Sequence, residues 1–207
     1  MIRSPLFVLS LVSLFVGPIL AAAPLKVTTG SVTFLATGKP GFLKINGEGA
    51  DVSGSLDKEA KGITGELTVP MAKFVTGIDL RDDHMKTKYF EVAKFPNAVL
   101  KITEFAIDAK GEASDKPFKG TLKFHGEEKA VSGTATAKVD GKKTNVNAKF
   151  PLTLSDYKID IPTYAGVKVA DTVEVNAVLT AEESGAPAAA VAAPAAKPAV
   201  PAKPVKK

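Results

Sequence analysis

One stretch gathers most of the side chains that can do chemistry. From Asp79 to Pro96 the chain reads Asp-Leu-Arg-Asp-Asp-His-Met-Lys-Thr-Lys-Tyr-Phe-Glu-Val-Ala-Lys-Phe-Pro. Asp82, Asp83, His84 and Tyr89 are residue types from which general acid–base catalysis can be built. Ser31, Ser53, Ser55, Ser132 and Ser155 are the hydroxyls elsewhere that could serve as nucleophiles. None of them sits in a Gly-x-Ser-x-Gly elbow, and no glycine-rich phosphate loop accompanies them. The chain has no cysteine, and its only histidines are His84 and His125, so thiol catalysis is excluded and no transition-metal ligand set is assembled. A hydrolase is the reading these residues support least. The plainer alternative makes Arg81 and Asp82 a local ion pair that pins a turn, and gives His84 a structural hydrogen bond.

The stretch needs elements to hold it. Asp79 can cap a short helix near residues 79–90, Asp82 and Asp83 suit its first turn, Lys86 and Lys88 suit its end, and Pro96 limits its reach. Met85 and Tyr89, four apart, share one face. Everything around it alternates with period two, the strand signal. Ile63, Gly65, Leu67 and Val69 share a face. So do Ala98, Leu100 and Ile102, then Phe118, Gly120, Leu122 and Phe124, then Val131 to Val139 at every second position. Val146, Ala148, Phe150, Leu152 and Leu154 follow, and Val173, Val175, Ala177 and Leu179 come last. Earlier strands fall around Val32–Ala36, Phe42–Ile45 and Ala50–Leu56. Hairpin turns are expected at Asp57–Gly62, His125–Glu128 and Asp140-Gly141. About eight antiparallel strands with one apolar face each close as a sandwich or a barrel. Gly65, Gly120 and Gly133 within strands, and the small inward residues, favour an antiparallel β-barrel wide enough for one ligand.

The ends differ in kind from this middle. Residues 1–22 have Arg3, an apolar run and three alanines around the cut, the layout of a secretory signal peptide. That implies a periplasmic or secreted protein with no transmembrane segment after cleavage. Residues 24–183 form the barrel domain, long enough for one sizeable core. Residues 184–207 are Ala, Pro, Val and Lys, an extended solvated tail. Apart from Arg3 and the tail lysines, the 22 basic residues between the ends match the 22 acidic ones, so the domain itself is neutral and is not built to bind nucleic acid. The basic tail is either a passive spacer or a weak tether to an anionic envelope surface.

Three blocks resemble the YceI-like family of periplasmic proteins. The first is Arg81-Asp82-Asp83-His84-Met85 leading into Tyr89-Phe90-Glu91-Val92 and Phe95-Pro96. The second is Gly120-Thr-Leu-Lys-Phe-His-Gly126 running on to Lys129-Ala-Val131. The third is Phe150 to Ile159, closing with Asp171-Thr-Val-Glu-Val175. The segment Thr28 to Thr37 lacks the histidines the family usually carries there, and the region from Ala36 to Gly62 is short, as in a divergent branch. The resemblance implies an extended lipocalin-like barrel that sequesters or transports a long apolar lipid, a polyisoprenoid or an isoprenoid-quinone-like molecule, without catalysis or cofactor. On that reading Leu67, Val69, Leu100, Ile102, Leu122, Phe124, Phe150, Leu152, Val175 and Leu179 line a tunnel, and Arg81 and His84 meet a polar head group. The competing reading is a filled barrel serving as an interaction module, with the tail as its binding element.

Overall fold

A computed structural model describes residues 23–39, 43–161, 163–164 and 166–184. The expected signal peptide, and the expected tail beyond Ser184, lie outside the described residues. The elements in chain order are β1 (Ala23–Lys39), β2 (Lys44–Gly49), β3 (Ser53–Lys58), β4 (Ile63–Pro70), a 3-10 turn (Met71–Lys73) and helix α1 (Asp79–His84). There follow a turn of π-helix (Met85–Tyr89), β5 (Asn97–Phe105), β6 (Ala113–Phe124), β7 (Glu127–Asp140), β8 (Lys143–Thr153) and a 3-10 turn (Leu154–Tyr157). The short β9 (Thr163–Tyr164) and β10 (Val167–Val169) precede the last long strand, β11 (Thr172–Glu183).

Eight strands close the barrel in the order β11-β8-β7-β6-β5-β4-β3-β1, with β1 returning to β11, and every neighbouring pair is antiparallel. The alternation predicts this closely for β4 to β8 and β11. The hairpin expected over His125–Glu128 is tighter than that: Phe124 pairs with Glu127, and His125 and Gly126, both at positive φ, form a two-residue turn. The following turn lies one residue later than expected: Asp140 pairs with Lys143, so Gly141 and Lys142 form it.

β1 departs from simple alternation. Its pairing with β11 is in register on either side of Thr28 and slips there by one residue. This bulge turns Leu25 and Val27 inward below it and Val32, Phe34 and Ala36 inward above it. β2 and β3 both pair with the same edge of β1, so they act as one strand interrupted at 50–52. The expected strand Ala50–Leu56 straddles that break; Asp51 within it takes φ 64°. Alongside β2 the next strand is missing, and Val75 makes a single rung with Glu48 through two backbone hydrogen bonds of 2.9 Å.

The barrel has two ends. The lower end carries the β3–β4, β5–β6 and β7–β8 connections and is filled by Leu25, Leu56, Ile63, Phe105, Phe118, Ala137 and Ala181, all buried. The upper end carries the Pro70–Asn97 segment, the β6–β7 turn and the Thr153–Thr172 connection. β7 and β8 are paired only from Thr134 downward, and the Leu154–Tyr157 turn packs against β7 near the parted strands. Gly133 lies where they part. A Cβ there would stand 2.1 Å from the Lys149 carbonyl oxygen, so only glycine fits.

Candidate functional site

The upper half of the barrel encloses a cavity of ≈ 370 Å³. Its wall is almost wholly apolar. Met71, Phe74, Met85 and Phe90 come down onto it from the segment between β4 and β5, and inward residues of β1, β2, β4, β5, β6, β8, β10 and β11 complete it. Phe34, Phe74, Phe90, Phe124 and Tyr157 form a continuous aromatic row across this end, with successive ring centroids 5.5–5.9 Å apart. Glycines at inward positions of β2 make room for it. A Cβ on Gly47 would lie 2.2 Å from the Phe34 ring, and one on Gly49 would lie 2.7 Å from that of Phe74.

The helical segment is held from both sides. At its start, Asp79 does not cap the helix; the cap position is Ile78, without a side-chain bond. Asp82 does the fastening: its Oδ1 accepts the Thr76 backbone N–H at 2.7 Å and also the Thr76 hydroxyl. Arg81 donates from Nε to Thr76 Oγ1 at 2.7 Å and from Nη2 to the Thr76 carbonyl at 2.8 Å. Arg81 and Asp82 thus share Thr76 as a common partner. At its far end the helix widens, with the Phe90 N–H donating to the Met85 carbonyl five residues back. That wide turn carries Met85, Tyr89 and Phe90 onto the cavity wall.

Beyond it, Glu91 at φ 44° turns the chain back and places its carboxylate 3.1 Å from Nε2 of His125. Nδ1 of His125 lies 2.9 Å from the Tyr157 carbonyl. A carbonyl only accepts, so this nitrogen carries a proton. The ring is almost covered and packs against Phe95 at 4.7 Å. His125 therefore ties three upper connections together. Lys94, and to a lesser degree His125, hold the Glu91 carboxyl below its ordinary range. Lys158 does the same for Glu127, and the Ser155 hydroxyl and N–H do so for Asp171. Tyr157 is only 1% exposed, and burial, helped by Asp156, pushes its phenol up to about 12.

Nine of the ten residues expected along a tunnel stand on the cavity wall: Leu67, Val69, Leu100, Leu122, Phe124, Phe150, Leu152, Val175 and Leu179. Ile102 does not; it packs into the filled half below the cavity floor. Arg81 and His84 also border the cavity, at its lip, where His84 is exposed. Ile78 and Leu80 line the cavity and are exposed as well, Leu80 by 65%, so the cavity meets the surface there. Val32, Phe34, Ala36, Ile45, Met71, Phe74 and Phe90 are wall residues that sequence reasoning did not assign. Among the described residues, no three of His, Asp and Glu come together as a metal would require, and no helix is long and apolar enough to cross a membrane.

A closed eight-stranded antiparallel barrel with an apolar cavity under a helical roof defines a lipocalin-like fold. Residues 25–181 match the family model of the YceI-like domain, and the chain belongs to that family. Among solved structures, it resembles BcnA of Burkholderia cenocepacia at 18% identity, over 73% of this chain and 95% of that one, with a TM-score of 0.61. It also resembles a polyisoprenoid binding domain from Saccharophagus degradans implicated in plant cell wall breakdown, at 19% identity, over 79% and 99% of the two chains, with a TM-score of 0.61. The YceI protein of Campylobacter jejuni matches at 21% identity, over 68% and 85%, with a TM-score of 0.56. At these identities the likeness is one of fold. Among curated proteins, none matches the chain.

Proposed function

We propose that this protein binds an apolar isoprenoid-type lipid in the upper cavity and sequesters or carries it in the periplasm, without catalysing a reaction. The observation that carries this reading is the ≈ 370 Å³ cavity, walled by aliphatic and aromatic side chains and reaching the surface beside Ile78 and Leu80. Burial stabilises such a ligand by about 0.8 kcal/mol per methylene, so ten buried carbons contribute about 8 kcal/mol before the cost of association. No charged contact is needed to hold the chain. A polyisoprenoid-binding relative of the same fold supports the choice of ligand class. Arg81 and His84 at the lip are the groups for a phosphate or quinone head. Arg81 spends Nε and Nη2 on Thr76, which leaves Nη1 to face a ligand. The lysines of the tail, Lys197, Lys203, Lys206 and Lys207, serve as a weak tether to an anionic envelope surface.

Native mass spectrometry of protein purified gently from its host's envelope, paired with organic extraction, tests the reading. The expected result is a stoichiometric apolar adduct with isoprenoid fragment spacing. A bare protein mass from repeated preparations, with no uptake of added isoprenoid, would overturn it.

A further inference from the structure

Among the described residues four large apolar side chains stand exposed, and three of them, Val75, Ile78 and Leu80, fall within six consecutive positions. They are 49%, 45% and 65% exposed. The backbone holds them out. Thr76 between them is gripped by Arg81 and Asp82, and Gly77 makes the turn at φ 81°, with nothing within 4 Å of where a Cβ would stand. Ile78 and Leu80 belong both to this outer surface and to the cavity wall, so the two are continuous. Single exposed apolar residues are ordinary; three together at the rim of an apolar cavity mark a contact surface.

The ligand class decides what makes that contact. Each methylene slows the escape of a lipid from a bilayer into water by about fourfold, so a long isoprenoid does not reach the cavity through solution. The charges beside the mouth agree. Asp82 is buried and spent on Thr76, which leaves Arg81, Lys86 and Lys88 of this segment against Asp79 and Asp83. None of the three cations has an ion-pair partner among the described residues. Their excess suits the phosphates of a bilayer surface. The two described ends of the chain leave from the opposite, filled end, where the Ser184 N–H donates to the Pro24 carbonyl at 2.8 Å, so neither begins beside the mouth. We infer that Val75, Ile78 and Leu80 dock the cavity mouth onto a phospholipid bilayer, so that the apolar cargo passes between membrane and cavity without crossing water. This rests on the lipid-binding reading above and names the partner of that site. The contact is smaller than one acyl chain and is therefore transient, as loading and release require.

The test uses the chain from Ala23 to Lys207, which spans every described element, and the same chain carrying Val75→Asp or Leu80→Asp. Val75→Ser and Leu80→Ser stand in should an aspartate variant not fold. Flotation with vesicles of phosphatidylethanolamine and phosphatidylglycerol, in high salt that silences the lysines of the tail, reads docking without any cargo. The wild type is expected to float with the vesicles, and each variant to float about tenfold less. Uptake of solanesol, a long prenyl alcohol, from the same vesicles reads the consequence. Its rate is expected to rise in proportion to vesicle concentration. In Val75→Asp, which lies outside the cavity wall, the rate should fall about tenfold, while final loading from detergent micelles equals that of the wild type. Wild-type protein that does not float, or variants that float as well as it does, would overturn the docking. So would an uptake rate indifferent to vesicle concentration; with loading from micelles intact, each of these leaves lipid binding standing. Wild-type dimers that Leu80→Asp separates, without flotation, would assign the face to a second copy of the chain and overturn the bilayer contact. Floating wild-type protein that loads solanesol from neither source would overturn the lipid reading, and the passage of cargo with it.

Discussion

Tyr157 gives the sharpest test of the packing around the upper end. It is 1% exposed, and its hydroxyl has no hydrogen-bond partner among the described residues. Its backbone carbonyl, which accepts from His125, does not depend on the hydroxyl. Tyr157→Phe therefore keeps the tie to His125 and removes one unpaired buried polar group, whose presence costs about 1–3 kcal/mol. At pH 7 the variant is expected to be as stable as the wild type or more stable by about 1 kcal/mol. A second effect appears in alkali. The phenol is raised from 10.0 to about 12 in the folded state, so the unfolded chain releases its proton first as pH rises. The wild type keeps this contribution below pH 10 and loses it as pH climbs towards 12, by an amount on the order of 2–3 kcal/mol for two pKa units. Phenylalanine cannot ionise, so the advantage of the variant should widen across that window while all other titrations cancel. Urea unfolding followed by far-ultraviolet circular dichroism at pH 7, 9, 10.5 and 11.5 measures both effects. A variant less stable than the wild type by 1 kcal/mol at pH 7 would mean that the hydroxyl has a partner. A difference that stays constant with pH would mean that the phenol ionises as freely in the folded protein as in the unfolded one.

The two halves of the barrel should respond differently to truncation. Leu56→Ala, in the filled half, is expected to cost about 3–5 kcal/mol, whereas Leu100→Ala, which already faces open space, should cost about 2 kcal/mol; equal losses in urea midpoints would contradict the division. Gly133→Ala would drive a Cβ onto the Lys149 carbonyl and is expected to cost about 3 kcal/mol or more, so an unchanged melting temperature would refute the close approach of β7 and β8. On the acid side, Glu91, Glu127 and Asp171 have carboxyls held below their ordinary values, so the unfolded chain takes up protons first as pH falls. Stability should be level near neutrality and decline as pH drops through and below the ordinary carboxylate range near 4. A melting temperature indifferent to pH between 6 and 3 would show that these contacts do not form in solution.

The sequence made the barrel readable where each strand buries one face with side chains of its own. β5 from Ala98 to Ile102 and β6 from Phe118 to Phe124 alternate cleanly, and Leu100, Leu122 and Phe124 could be assigned to the interior from spacing alone. β1 could not be read through, because the bulge at Thr28 swaps the inward parity halfway along. β2 was harder still. Its inward positions Gly47 and Gly49 carry no apolar signal, since the space beside them is filled by the rings of Phe34 and Phe74 from other elements. Ile102 shows the opposite limit: alternation finds the inward face but not the depth at which a cavity ends. His125 was legible as a turn residue, which it is, with φ 49°. Its tie to Glu91 and Tyr157 joins positions more than thirty residues away and leaves no local pattern.

One of these departures, the one at β2, bears on how an apolar ligand would enter. Between β5 and β6 the wall is a ladder from Val99 to Phe105, broken only by a bulge at Thr103. Beside β2 it is the single rung between Glu48 and Val75, followed by the Thr76 cluster. Parting the wall there breaks two backbone hydrogen bonds, whereas parting β5 from β6 breaks a ladder whose groups would all need new partners. The three exposed residues Val75, Ile78 and Leu80 mark the same seam on the outside, and Phe74 and Met85 mark it on the inside. The filled lower half holds the barrel closed through its packing and does not depend on this seam. A lipid of the proposed class therefore has an entry that breaks few hydrogen bonds under the segment from Val75 to Met85, where the sequence exchanges strand pairing for one helical turn.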